Sequence, residues 1–215
     1  MKKFRQLVIP YLIWSVLMLL VPMLLIAMYS VMSDGNSIVP FQLTIHHYVR
    51  FFTDPDFVLI LWRSLVIAIK TTIICLLLGY PIAYYIANSE EKKQNVLILL
   101  ITLPMWINML VRTYAWIGLL APDGIISWLL GLIGIHTELL YTEKAVLLGM
   151  VYNFLPFMIL QIQTALSKMD KSLLEASNDL GADRVQTFIH IVFPLSLSGV
   201  VSGITLVFLP AVSSF

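Results

Sequence analysis

The sequence predicts an all-α protein, a polytopic bundle of transmembrane helices. Three observations predict it. Of the 215 residues, 60% are hydrophobic and 12% charged, where a soluble domain carries roughly 25% charged and about 45–50% apolar residues; mean hydropathy is +0.92. The apolar residues are gathered into five long runs, and crossing a bilayer core takes about 20 mainly apolar residues. None of these runs alternates apolar and polar positions with period two, so a β-barrel is not predicted.

The first span is 7–32, behind Lys2, Lys3 and Arg5. A basic head before an apolar body also describes a secretory signal. The apolar body here runs to about 25 residues against about 7–15 for a signal, lacks a small-residue cleavage site and is followed by further spans, so it reads as a helix that stays. A polar connection, 33–57, leads to the second span, 58–87. That span holds Cys75, the sole cysteine, which has no partner for an internal disulfide and reads as a buried, inert thiol. The connection 88–95 precedes a third span, 96–119, with the stretch "LPMWINMLVRTYAW". The connection 120–143 precedes a fourth, 144–166, and the connection 167–191 a fifth, 192–215. The fifth span reaches Phe215 on the side opposite the N-terminus, and the expectation is a sixth, C-terminal helix missing from the chain. The whole of 1–215 reads as one membrane domain.

Orientation is predicted from lysine and arginine, which favour the cytoplasmic side. With the N-terminus inside, the inner segments hold Lys2, Lys3, Arg5, Lys92, Lys93, Lys168, Lys171 and Arg184, and the outer ones only Arg50. The outer segments are acidic (Asp34, Asp54, Asp56, Asp123, Glu138), which suits a cationic cargo and also follows from the inward sorting of basic residues alone.

Within the spans, Pro10, Pro22, Pro81, Pro104, Pro156, Pro194 and Pro210 break backbone hydrogen bonds that neighbouring helices can satisfy. Gly199-x-x-x-Gly203, with Ser198 and Ser202, allows close helix approach, as do Gly79 and Ala83. Arg63 and Lys70 lean toward the outer end of their helix and can snorkel. Arg112 leans inward; a basic residue at the bilayer centre costs about 2.5–3.5 kcal/mol, so a partner or a watery cavity is expected for it. Trp106 and Tyr114 flank Asn108 and Arg112; aromatic faces hold cations and also anchor helices at interfaces. These four are the candidate pathway residues.

Several chemistries are not predicted. Net charge is +1, which gives no reason to expect nucleic acid. No acid lies deep in a span, which argues against a proton relay. The histidines lack metal-ligand spacing. No phosphate-binding Gly-x-x-x-x-Gly-Lys-Ser/Thr loop and no Gly-x-Ser-x-Gly elbow occurs, so the chain is not expected to be an enzyme or to hydrolyse ATP itself.

The most informative stretch is "LLEASNDLGADRVQTFIHIVFPL", residues 173–195, a polar island between two apolar spans. Residues 170–193 read as a helix pair. Ser172 and Glu175 have capping-box spacing, Gly181 fits a C-terminal stop, and Asp183 can cap a second helix with Val185, Phe188, Ile189 and Val192 on one face. The knob carries Asp170, Glu175, Asp179 and Asp183 against Lys168, Lys171 and Arg184. Such a balance fits anionic lipid poorly and a protein groove better.

Glu175-Ala176-Ser177-x-x-x-Gly181, nine residues, then Ile191-x-Phe193-Pro194 resembles the coupling loop of importer-type ABC permeases, where the pattern is Glu-Ala-Ala, three residues, Gly, nine residues, Ile-x-Leu-Pro. Ser177 replaces the second alanine and Phe193 the leucine. "LPMWINMLVRTYAW", "LLLGYPIAYYIA" and "GMVYNFLPFMILQIQTALSKMDKSLLEASNDLGADRVQTFIHIVFPL" are similar to permeases of spermidine/putrescine importers; permeases for iron, sulfate or phosphonate share the architecture.

The resemblance implies a six-span, MetI-like fold and a permease role without catalysis. It implies a second permease subunit, two copies of an ATPase that binds ATP and Mg, and an external substrate-binding protein, with no cofactor in this chain. It also implies an ATPase-coupling site made of Glu175, Ala176, Ser177, Asp179, Gly181, Ala182, Ile191 and Pro194. Glu175 and Gly181 would dock and shape the knob, Ala176 would pack closely, and Ile191 and Pro194 would set the exit into the next span. A membrane scaffold or a passive channel is the competing class; neither accounts for the Glu-Ala-to-Gly spacing.

Overall fold

The computed structural model describes residues 2–32, 43–132, 139–170 and 172–214, with side chains from residue 8. Asp34, His136, Glu138, Lys171 and Phe215, and the side chains of Lys2, Lys3 and Arg5, lie outside the described residues. All regular elements described are helical, as predicted: α1 (Lys2–Ser30), α2 (His46–Thr53), α3 (Pro55–Ala87), α4 (Glu91–Trp106), α5 (Met109–Leu120), α6 (Ile125–Leu132), α7 (Glu143–Ser167), α8 (Ser172–Asp179), α9 (Arg184–Thr187), a π-helical turn (Phe188–Val192) and α10 (Phe193–Ser213). The chain divides into two compact units at Trp62/Arg63.

In the first unit, α1 continues through Pro10 and Pro22 and from Val8 onward is mainly apolar and almost wholly exposed, the surface of a helix whose solvent is lipid. Its end is tied to α2: Ser30 Oγ and Tyr48 OH share a hydrogen bond of 2.7 Å, and His47 Nε2 lies 3.0 Å from the Met32 carbonyl oxygen.

The second unit is built on α7. Its core joins Cys75, Ala83 and Ile86 of α3, Met158, Ile159, Ile162 and Leu166 of α7, and Val192, Val200 and Val207 of the last helical run. Cys75 is fully buried, as predicted. Lipid tails are as apolar as leucine, so helices here associate by close contact rather than by escape from water. The small residues supply that contact. A Cβ on Gly199 would stand 2.6 Å from Ala165 Cβ and 2.7 Å from the Gln161 carbonyl oxygen, and one on Gly203 would stand 2.7 Å from Met158 Sδ. Gly79 faces Met158 from α3 less tightly, with a Cβ there 3.1 Å from Met158 Cγ.

Among the described residues five helical segments are long and apolar enough to cross a membrane, but the third differs from the prediction. Residues 96–119 are not one helix. The Asn108 side chain accepts a hydrogen bond from Leu110 N–H at 2.8 Å and caps a new helix, α5, so α4 ends at Trp106 and the third segment runs Met109–Leu132. The predicted connection 120–143 accordingly contains α6. The break follows from the asparagine side chain offering the backbone an alternative partner, which favours a cap over a helix interior.

The cations in the spans are placed unequally. Lys70 Nζ pairs with Glu143 at the start of α7, 2.5 Å away. No ion pair among the described residues includes Arg112, and its Nε is buried without a hydrogen-bond partner.

Candidate coupling site and pathway residues

The polar island folds as the predicted helix pair. Helix α8 stops at Gly181, whose φ of +80° is left-handed backbone that glycine adopts without a Cβ penalty. Ala182 N–H donates to the Ser177 carbonyl at 3.1 Å and Gly181 N–H to the Asn178 carbonyl at 2.9 Å, the double closure of a Schellman motif. Two residues on, Asp183 caps α9 reciprocally: its carboxylate accepts from Gln186 N–H at 2.7 Å, and Gln186 Oε1 accepts from Asp183 N–H at 3.0 Å. The corner between the two helices is thus held by main-chain and side-chain bonds on both sides.

Two details correct the prediction. The start of α8 is not closed by a Ser172–Glu175 box. Instead Asp170 Oδ1 accepts from Ser172 N–H at 3.0 Å, because a carboxylate ahead of the helix reaches its free N–H groups. These hydrogen bonds from Ser172 hold the Asp170 carboxyl below the usual aspartate range. Nor do Val185, Phe188, Ile189 and Val192 share one face. Val185 and Ile189 are exposed, whereas Val192 is buried and Phe188 packs inward. The π-helical turn from Phe188 to Val192 shifts the register and accommodates Pro194, which has no N–H to continue an α-helical ladder.

Several residues that hold the knob went unrecognised in the sequence. The Ser177 and Thr187 hydroxyls share a buried hydrogen bond of 2.8 Å that joins α8 to α9. Phe188 meets Tyr80 and Tyr84 of α3 edge to face, each at 5.8 Å, and Phe193 lies 6.1 Å from Tyr80. Tyr80 OH also bonds Ser196 Oγ at 2.8 Å. The knob is therefore fastened both to α10, by continuous helix, and to α3, by an aromatic cluster. Tyrosines four apart at 80 and 84 were the available signal, since they share a helix face.

Glu175, Ala176, Asp179 and Gly181 are exposed, as is Pro194; Ala182 and Ile191 are half-buried and Ser177 is buried. The outward surface adds Leu180, 88% exposed, with Val185 and Ile189, so apolar side chains share it with the exposed Glu175, Asp179 and Asp183. On the inner side of α8 lies a cleft of about 460 Å³ bordered by Glu175, Asn178, Gln94 and Ser167; Gln94 Nε2 donates to Ser167 Oγ at 2.8 Å.

The pathway candidates do not form one cluster. Trp106 ends α4 and is 75% exposed, Asn108 is the α5 cap, and Arg112 stands one turn into α5. Tyr114 is exposed and, two positions beyond Arg112, lies nearly opposite on the helix. None of the four borders the nearby cavity of about 310 Å³ between α5 and α7, whose lining includes Thr113, Trp116, Met150 and Asn153.

Residues 76–215 match the family described as binding-protein-dependent transport system inner membrane component. The chain is 37% identical over 218 residues, covering 99% of it and 76% of the relative, to the spermidine/putrescine transport system permease protein PotB of Haemophilus influenzae. It is 38% identical over 207 residues, 94% of it and 74% of the relative, to PotB of Escherichia coli. In fold it is similar to a chain of a bacterial ABC transporter involved in the import of the acidic polysaccharide alginate, with a TM-score of 0.68 at 19% identity, covering 90% of this chain and 67% of that one.

Proposed function

The chain belongs to the family of binding-protein-dependent transport system inner membrane components, and from that premise we propose that it is the permease of an ATP-driven importer of polyamines such as spermidine and putrescine. As a member of that family it is a multi-pass inner-membrane permease subunit. The N-terminus and the knob face the cytoplasm in this reading, as the distribution of Lys92, Lys93, Lys168 and Arg184 favours. A second, PotC-like permease completes the translocation unit. Two PotA-like ATPase subunits bind ATP and Mg, and a PotD-like protein delivers cargo from outside. No cofactor resides in this chain.

The observation that carries the coupling role is the helix pair with the Glu-Ala-to-Gly spacing, closed at Gly181 and Asp183 and fastened to two spans. Glu175, Ala176, Asp179, Gly181 and Ala182, with exposed Leu180 beside them, dock in an ATPase groove, a helix-in-groove mode. Ser177 keeps the two short helices together, and Ile191 and Pro194 form the turn that passes motion into α10. When ATP draws the two ATPases together, each groove carries its knob, and access alternates by rigid-body movement. The ATPase must favour one arrangement of the spans, since equal affinity for both would shift nothing.

Polyamine cargo is supported by 37–38% identity over nearly the whole chain to polyamine permeases and by Lys70 being paired with Glu143 rather than standing as a free cation. Trp106, Asn108, Arg112 and Tyr114 remain candidates for the route. In the assembled transporter, Gly181→Pro, which cannot take a positive φ, and Glu175→Lys are expected to abolish uptake while ATP hydrolysis and membrane insertion persist. Wild-type uptake in either variant contradicts the coupling role. Uptake of spermidine into vesicles, competed by putrescine, tests the cargo.

A further inference from the structure

We propose that the cavity between α5 and α7 receives one protonated amine of the cargo, with the Asn153 side-chain carbonyl as its acceptor; this rests on the polyamine reading above. Among the described residues, two buried side-chain polar atoms lack a hydrogen-bond partner, Arg112 Nε and Asn153 Oδ1. An acceptor left unpaired in an apolar surrounding is costly, so it marks a place where a donor arrives. Asn153 borders the cavity of about 310 Å³, and rotation about its Cβ–Cγ bond, a soft two-fold torsion, re-aims the amide without moving α7.

The rest of the cavity suits an alkylammonium. Its wall is mostly apolar, with Met150 and Phe154 for methylenes and Trp116 for the charged end, since indole faces attract cations. Trp116 is held edge to face against Tyr152 at 5.3 Å. At the rim stands Tyr141, 89% exposed, at a φ of +62°. A bulky residue in left-handed backbone is strained, and such strain gathers at functional sites. Asn153 lies ten residues into α7, so about 15 Å from its start at 1.5 Å per residue, near the midplane where transporter cargo sites lie. No carboxylate borders the cavity among the described residues, and Arg112 is not in its wall. A neutral amide holds an amine weakly enough to let it leave again, as translocation requires.

The test uses the assembled transporter in vesicles, comparing wild type with Asn153→Leu and Asn153→Asp. With spermidine delivered by saturating loaded binding protein, Asn153→Leu is expected to lower uptake by about tenfold, as for a lost hydrogen bond to a charged group. ATP hydrolysis should stay within about twofold, and Asn153→Asp should retain the wild-type uptake. Unchanged uptake in Asn153→Leu overturns the proposal while leaving the polyamine reading intact. Absence of spermidine uptake by the wild type overturns the polyamine reading and this site with it. If Asn153→Leu does not assemble, Trp116→Phe and Tyr141→Ala carry the same expectation of lower uptake at unchanged ATP hydrolysis, and unchanged uptake in both overturns it.

Discussion

Ser177 and Thr187 face each other across the knob with no other described partner for either hydroxyl. Removing one hydroxyl leaves the other buried and unsatisfied, at a cost of about 1–3 kcal/mol, whereas removing both is nearly neutral. Ser177→Ala should therefore lower the melting temperature of the detergent-solubilised protein, and Ser177→Ala with Thr187→Val should recover most of the loss. A double variant no better than the single one contradicts this pairing. Gly181→Ala should destabilise by about 1 kcal/mol, because a Cβ must then sit at positive φ. At Asp170 the lowered carboxyl pKa gives a sign as well: the support it lends to the start of α8 is complete above the ordinary aspartate range and is lost as pH falls through the lowered value. Residue-scale features of this kind were legible where the signal is local. Gly181 and the Asp183 cap sit a few positions from their partners, but the Ser172–Glu175 box was misread because Asp170, two residues earlier, is a competing acceptor that spacing alone does not rank.

At the scale of elements, helix contact depends on missing side chains. Gly199 meets Ala165 and the Gln161 backbone, so Gly199→Leu must push α10 off α7, and overpacking typically costs about 1–3 kcal/mol. The expected outcome is a lower melting temperature, with Ser198→Leu, one position round the helix and exposed, near neutral; equal effects contradict the close approach. Gly199-x-x-x-Gly203 was readable because its spacing is that of one helix face. The break at Asn108 was not, since asparagine inside an apolar run looks the same whether it caps a helix or lies within one; Asn108→Ala should weaken α5 by about 1 kcal/mol, measurable by thermal unfolding. The aromatic contact of Tyr80 and Tyr84 with Phe188 was invisible for a different reason: it joins segments far apart in the chain, and no local period reports which distant side chains meet. Phe188→Ala should loosen the knob and reduce uptake more than ATP hydrolysis.

At the scale of the whole molecule, composition made the membrane class legible and the absence of period-two alternation made it helical, because a bilayer forces every backbone polar group to be satisfied within a helix or closed barrel. The family emerged from one island of polar residues whose spacing differs from anything a lipid-facing helix needs. Pathway residues were much less legible. Which faces of α5 and α7 turn toward a shared cavity is set by tertiary packing, and the pairing of Lys70 with Glu143 shows how a cation that looks exposed in sequence is neutralised by an element far along the chain. What unites these scales is a knob closed by its own hydrogen bonds, joined by continuous helix to α10 and by aromatic contact to α3.

The single cysteine is buried, so a new one at the tip of the knob reports without background. Leu180→Cys, at a site 88% exposed, is the most direct test in the assembled transporter. The expected result is labelling from the cytoplasmic side only, protection by the ATPase subunit, and a cross-link to a cysteine in that subunit's groove whose yield changes with ATP. Labelling from the outer side, or equal labelling with and without the ATPase, contradicts it.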